Sequence, residues 1–167
     1  MEKKSKKKYV IFGVAVVMIA AVIFVVWSVT SNSTLKKECP ALEKGKIVTV
    51  HFFESIPGVD IYTDKIELPQ EELRSLLISD VNLKRAEKVK SMPNLGFMLH
   101  VYENEETYEI IISIEGKVMV APFDNLQDGR TFWKDPEGKL FDEIYNLYLE
   151  NGGEKIEAVE EYKNNIS

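Results

Sequence analysis

Residues 97–120 read FMLHVYENEETYEIIISIEGKVMV, and this stretch decides the fold of the domain. Apolar residues recur at every second position in three runs. Asn104-Glu105-Glu106 separates the first two runs, and Glu115-Gly116 separates the second from the third. Alternation with a period of two, interrupted by short polar turns, is typical of antiparallel strands with one buried face. The stretch therefore predicts a three-stranded antiparallel meander.

Upstream of the meander, two further runs have strand composition. Residues 47–53 are mostly β-branched or aromatic, and residues 59–63 alternate after the turn Ile56-Pro57-Gly58. Together they predict a β-hairpin. Residues 130–134 predict a further strand, and residues 80–90 fit either a strand or a continuing helix.

Two amphipathic helices accompany these strands. Pro69 is suited to a first helical turn, and Leu73, Leu76 and Leu77 then follow the spacing of one buried helical face. A second helix is predicted to begin at residues 135–137 and to end at Gly152-Gly153.

The predicted fold class is α+β. Residues 46–153 are expected to form one domain, an antiparallel sheet of five to six strands, hairpin plus three-stranded meander, with two amphipathic helices on one face. Residues 154–167 are predicted to be a charged tail that frays, with a docked turn through Ile156, Val159 and Tyr162 as the alternative.

The charge of the chain is unevenly distributed. The 167 residues carry a net charge of −6, but residues 1–8 carry +4, residues 9–29 carry no charged side chain, and residues 30–167 carry −10. The uncharged stretch would extend about 31 Å as a helix, against a hydrocarbon core of about 30 Å. A strongly acidic remainder argues against nucleic-acid binding.

These charges predict one N-terminal transmembrane helix, a signal anchor that binds the lipid bilayer through residues 9–29. Lysines before a span stay cytoplasmic, so residues 1–8 are placed inside and the C-terminal domain outside, as in a single-pass cell-membrane protein. A cleavable signal peptide is the alternative, with Val29 and Ser31 as a poor substitute for an A-x-A cleavage site. Residues 30–45 are predicted to be a short polar stalk.

Two features are candidates for contact with a partner. Four acidic residues, Glu103, Glu105, Glu106 and Glu109, surround one predicted hairpin and would suit a basic peptide or protein, although wet hairpin tips are often acidic. Cys39 is the single cysteine, and a thiol in a flexible stalk could form an intermolecular disulfide in a homodimer or have no role.

No catalytic, cofactor-binding or metal-binding residues are predicted. The two histidines, His51 and His100, lie in predicted strands without the spacing of a metal motif. No serine occupies a nucleophile elbow.

The strings LKRAEKVKSMP (residues 83–93) and YEIIISIEGKV (residues 108–118) resemble small extracytoplasmic domains of unknown function in Gram-positive bacteria. Those proteins likewise have a lysine-rich start and one membrane anchor. The resemblance implies a bacterial cell-surface setting and no established activity.

Two hypotheses for function follow. The first is a non-enzymatic, membrane-tethered extracytoplasmic binding or accessory module. The alternative is a cell-surface enzyme of the hydrolase class whose carboxylates converge only in the folded chain.

Overall fold

The described residues of the computed structural model form a single eight-stranded sheet. The structure describes residues 16–22, 32–56, 59–63, 65–86, 94–125 and 130–166. The strands are β1 (Asn32–Ser33), β2 (Lys46–Ile56), β3 (Val59–Tyr62), β4 (Leu83–Arg85), β5 (Leu95–Glu103), β6 (Glu106–Ser113), β7 (Lys117–Pro122) and β8 (Thr131–Lys134). Their order across the sheet is β1-β4-β8-β7-β6-β5-β2-β3, and neighbouring strands from β4 to β3 are antiparallel.

Helices precede, interrupt and follow the strands along the chain. The chain divides into two compact units, residues 1–32 and 33–167. In the first unit, residues 16–22 are helical. The helices of the second unit are α1 (Leu35–Glu38), α2 (Gln70–Leu77), α3 (Lys139–Glu150) and α4 (Glu157–Ile166), with short 3-10 turns at Pro40–Leu42 and Phe123–Asn125.

The main core lies between one face of the sheet and these helices. The alternation within β5 and β6 directs Phe97, Leu99 and Ile110 into it, and the ring of Phe97 lies 5.2 Å from that of Phe141 on α3. Each such side chain contributes roughly 1.5–3 kcal/mol when fully buried. The predicted meander thus corresponds to β5, β6 and β7, and the helices cover its apolar face.

The opposite face of the sheet has a smaller apolar cluster of its own. It consists of Phe53, Ile111, Met119 and Ala121, with Met98 and Phe132 partly buried against it. We call this side of the sheet the opposite face. It also holds both histidines, because His51 and His100 alternate with core residues on β2 and β5.

Residues 35–42, which fall in the segment predicted as a stalk, pack into the main core. Leu35, Cys39 and Leu42 are buried there. The guanidinium group of Arg74 on α2 donates hydrogen bonds to the carbonyl oxygens of Leu42 and Gly45. This contact joins two segments that are distant in sequence.

The C-terminal segment also differs from the predicted frayed tail. It forms helix α4, and Val159 is fully buried in the core. The hydroxyl of Tyr145 on α3 donates to Glu160 at 3.2 Å and accepts from the N–H of Ile156 at 3.1 Å. Burial raises the pKa of Tyr145, which keeps this hydroxyl protonated as the donor.

The predicted fold class is correct as α+β but wrong in its count of elements. The sheet has eight strands rather than five to six, and more than two helices accompany it. The additional strands β1 and β4 have two and three residues, too short to show a period of two. The additional helices depend on contacts that local composition does not reveal.

The prediction of a transmembrane signal anchor also requires correction. Within residues 9–29 the structure describes residues 16–22, and the rest of that range lies outside the described residues. No helix in the described part of the chain is long and apolar enough to cross a membrane. This finding overturns the single-pass, bilayer-bound cell-membrane localisation, which depended on that anchor.

We expect Arg74→Met to lower the free energy of unfolding by about 2 kcal/mol, because two carbonyl groups lose a charged donor. Arg85→Met, at an exposed position on β4, is the matched control and should change it by less than about 0.5 kcal/mol. Urea unfolding followed by circular dichroism measures both. Equal losses in the two variants would show that residues 35–45 are not part of the cooperative fold.

Candidate functional site on the β5–β6 hairpin

A β-bulge in β2 determines which side chains reach the opposite face. Ile47 pairs with Val101 of β5, but Thr49 pairs with His100, so Val48 is an extra residue without a partner. Val48 is 39% exposed. Bulges of this kind change the direction in which the following side chains point. Ile47 therefore enters the main core although Thr49 lies on the opposite face.

The bulge places three polar residues in a row across three strands. Thr49 on β2 is opposite His100 on β5, which is opposite Glu109 on β6. Thr49 Oγ1 lies 2.7 Å from His100 Nδ1, and His100 Nε2 lies 3.5 Å from Glu109 Oε2. We call Thr49, His100 and Glu109 the cross-strand row.

The cross-strand row is largely shielded from solvent. The side chains of His100 and Glu109 are 21% and 9% exposed, and His100 Nε2 has no hydrogen-bond partner. The ring of Phe123, in the 3-10 turn after β7, packs edge-on against the imidazole of His100, with the ring centroids 5.4 Å apart. Phe123 itself is 47% exposed. Phe123 thus covers His100 and presents an exposed aromatic ring beside the hairpin.

The tip of the β5–β6 hairpin carries the other three glutamates of the predicted contact. β5 ends at Glu103 and β6 begins at Glu106, and the two residues between them, Asn104 and Glu105, have φ of 50° and 70°. Two positive φ values indicate a type I′ turn, where glycine is favoured at the second position. Glu105 holds that position against its own conformational preference. We call residues 103–106 the hairpin tip.

Electrostatics at the hairpin tip are also unfavourable for folding. Glu103 and Glu106 are directly paired across the two strands, and like charges in that arrangement are destabilising. The hydroxyl of Tyr108 donates to Glu106 Oε2 at 2.7 Å, which raises the pKa of Tyr108. One hydrogen bond does not neutralise two carboxylates. The tip therefore concentrates negative charge at a conformational cost.

The structure divides the four predicted contact residues into two groups. Glu103, Glu105 and Glu106 share the hairpin tip, where Glu105 and Glu106 are exposed. Glu109 lies three residues further along β6, about 10 Å away at the usual rise of a strand, and is buried beside His100. Sequence reasoning missed Thr49 and Phe123. The run of apolar residues at 47 and 48 is the one signal of the bulge that places Thr49.

Cys39 is fully buried between α1 and the first 3-10 turn. Burial raises the pKa of its thiol to about 11. A protonated thiol inside the core cannot reach a cysteine of another chain without local unfolding. The prediction of an intermolecular disulfide, and of a homodimer formed through it, assumed an accessible thiol, whereas the thiol of Cys39 is buried in the folded chain.

A groove of about 480 Å³ is lined by four carboxylates, the kind of group that a hydrolase would need: Asp80, Asp135, Glu137 and Glu143. Both carboxyl oxygens of Asp135 accept backbone N–H groups, from Glu137 and Leu140, and so hold the start of α3. Lys139 pairs with Glu137 and lowers its pKa. Asp135 is therefore held in a structural contact at the start of α3, and Glu137, whose pKa is lowered, lacks the raised pKa of a general acid.

The described residues contain no group of three or more histidine, cysteine or acidic side chains arranged to hold a metal ion. His51 is engaged elsewhere, since its Nδ1 lies 3.0 Å from the carbonyl oxygen of Thr63. His100 and Glu109 provide two such groups, fewer than a structural metal site uses.

Comparison of the chain with models of protein families, with curated proteins and with solved structures gave no match. The resemblance to Gram-positive extracytoplasmic domains therefore stays a prediction.

Glu105→Gly should raise the free energy of unfolding by about 0.5–1 kcal/mol, because glycine adopts positive φ without strain. Glu105→Ala removes the same carboxylate but keeps the unfavourable backbone, so it should gain less. Thermal or urea unfolding compares the two variants. A glycine variant no more stable than the alanine variant would contradict the strained turn.

Cys39 should be unreactive toward a maleimide reagent in the folded protein and should react fully in guanidinium chloride, because the thiol is buried and protonated. Mass spectrometry measures the extent of labelling, and the unfolded chain is the internal control. Rapid stoichiometric labelling under native conditions would contradict the packed position of residues 35–42.

Proposed function

We propose that this chain is a non-enzymatic binding module that holds a cationic segment of a partner at the β5–β6 hairpin. The partner chemistry is a lysine-rich peptide or the basic surface of another protein. The contact consists of the hairpin tip together with the adjoining aromatic side chains Tyr102 and Phe123.

The observation that carries this proposal is the unfavourable arrangement of the hairpin tip. Glu105 occupies a left-handed position, and Glu103 faces Glu106 across the strands. Features that break local folding rules are concentrated at functional sites, where a ligand restores the lost interactions. A cationic segment would supply the positive charge that the three carboxylates lack.

Aromatic side chains beside the tip suit the same kind of partner. Tyr102 is 45% exposed and Phe123 is similarly exposed, and both belong to the hairpin or the turn next to it. Aromatic faces attract ammonium and guanidinium groups, and they also accept the apolar stems of lysine and arginine. Because Tyr102 and Glu103 are consecutive on β5, the aromatic side chains and the paired carboxylates lie on different faces, and a cationic segment that crosses the hairpin tip would contact both.

The net charge of the chain supports association with such a partner. Residues 30–167 carry −10, so a cationic segment is attracted over a distance before it docks. The hydrolase alternative has less support, because two of the four carboxylates that line the groove, Asp135 and Glu137, are held in contacts within the chain.

The triple variant Glu103→Gln, Glu105→Gln and Glu106→Gln should bind a fluorescein-labelled oligolysine peptide about tenfold more weakly, because each exposed ion pair contributes up to about 1 kcal/mol. Fluorescence anisotropy at low salt measures the dissociation constant. The affinity of the unmodified chain should fall as salt is added.

The matched control removes the same three charges from exposed positions on α3 and α4, as Glu150→Gln, Glu157→Gln and Glu161→Gln. It should bind within about twofold of the unmodified chain, because it keeps the hairpin tip intact. Equal weakening in both triple variants would mean that net charge alone attracts the peptide, and would overturn the assignment of the site.

A further inference from the structure

The contact between His100 and Glu109 is incomplete. Their Nε2 and Oε2 atoms are 3.5 Å apart, whereas charge-assisted N–H···O bonds are about 2.7–2.9 Å long. His100 Nε2 is buried without a hydrogen-bond partner, and the Glu109 side chain is more than nine-tenths buried. A buried polar group left in this way calls for a physical reason.

Thr49 can bond to the imidazole of His100 in either protonation state. A hydroxyl both donates and accepts, so Thr49 Oγ1 can bond to Nδ1 whether or not that nitrogen carries a proton. The charged imidazolium would donate from Nδ1 to Thr49 and from Nε2 to Glu109 at the same time. Its positive charge would face a carboxylate that is shielded from water, where attraction is stronger than at an exposed pair.

The other titratable groups near His100 come from four described elements. Glu109 on β6 is its direct cross-strand neighbour, and His51 on β2 shares its face but is bonded to the Thr63 carbonyl. Tyr62 on β3 has a raised pKa, caused first by burial and then by the charges of Asp60 and Glu109. Asp124 follows Phe123 in the 3-10 turn. Among these groups, the direct ion-pair contact of His100 is with Glu109.

We propose that His100 is a proton-controlled regulator of the cationic-segment site. Protonation of its imidazole closes the His100–Glu109 pair and cancels one of the four negative charges of the hairpin. The affinity for a cationic segment then falls on acidification. This inference rests on the proposed function and adds to it a direction of pH dependence.

Histidine is the side chain that ordinarily changes charge between about pH 5 and 8, whereas lysine stays charged over that range. We therefore expect the unmodified chain to bind the oligolysine peptide about two- to threefold more weakly at pH 5.5 than at pH 8, the size expected when one negative charge near the hairpin tip is cancelled. Anisotropy titrations at constant low salt measure this ratio.

The two histidines provide a matched pair of variants. In His100→Gln the ratio of affinities at the two pH values should be close to one. In His51→Gln, which removes a histidine from the same face, the ratio should equal that of the unmodified chain. A ratio that survives in His100→Gln, or disappears in His51→Gln, would overturn the inference.

Nuclear magnetic resonance of the unmodified chain tests the His100–Glu109 coupling without any peptide. The ring signals of His100 and the side-chain carboxyl carbon of Glu109 should shift through one common midpoint. If the Glu109 signal does not shift at the same midpoint pH as the His100 signals, the inference is overturned even where the peptide binds at pH 8. Failure of the peptide to bind at pH 8 instead overturns the proposed function, whatever the coupling of the two side chains.

Discussion

The pairing of β2 with β5 is the constraint on which the site depends. β2 contributes one residue more than β5 over this pairing, and the extra residue is Val48. Without the bulge, a strict period of two would place Ile47 and Thr49 on the same face. With it, Ile47 adds to the main core and Thr49 faces His100. Because of this one unpaired residue, β2 contributes Ile47 to the main core and Thr49 to the cross-strand row.

The same pairing depends on a close approach at its other end. Phe53 pairs with Gly96, and a side chain at Gly96 would lie 2.5 Å from the carbonyl oxygen of Ile112 on β6. Glycine therefore keeps β5 in register between β2 and β6. The hairpin tip can hold a left-handed Glu105 and a facing pair of carboxylates because the centre of the sheet is well packed. The free energy that these two features cost is small beside the stabilisation that the buried core provides.

Sequence patterns predicted the parts of this fold that are locally determined. The alternation over residues 97–120 identified β5, β6 and β7, and the turn residues located the hairpin tip with Glu103, Glu105 and Glu106. Other features depend on distant partners. Val48 is a bulge because of how β5 pairs with β2, and Leu42 is held against the core where Arg74, far along the chain, bonds to its carbonyl oxygen. Polar composition alone made that segment look like a stalk.

The sequence predicted fewer residues of the candidate site than elements of the fold. Glu109 was grouped with the other three glutamates because it is near them in sequence, but alternation places its side chain on the opposite face beside His100. Thr49 and Phe123 contact His100 because of strand pairing and a turn after β7, and the pair of apolar residues at 47 and 48 does not by itself identify that pairing. Only the folded sheet shows that Glu109 is buried beside His100 while Glu105 and Glu106 are exposed at the hairpin tip.

The pattern of nuclear Overhauser effects between β2 and β5 tests the central claim most directly. The bulge predicts cross-strand contacts from Ile47 to Val101 and from Thr49 to His100, with no contact of this kind from Val48. A regular register, in which Val48 faces His100 and Thr49 faces Leu99, would contradict the cross-strand row and the account of the site built on it.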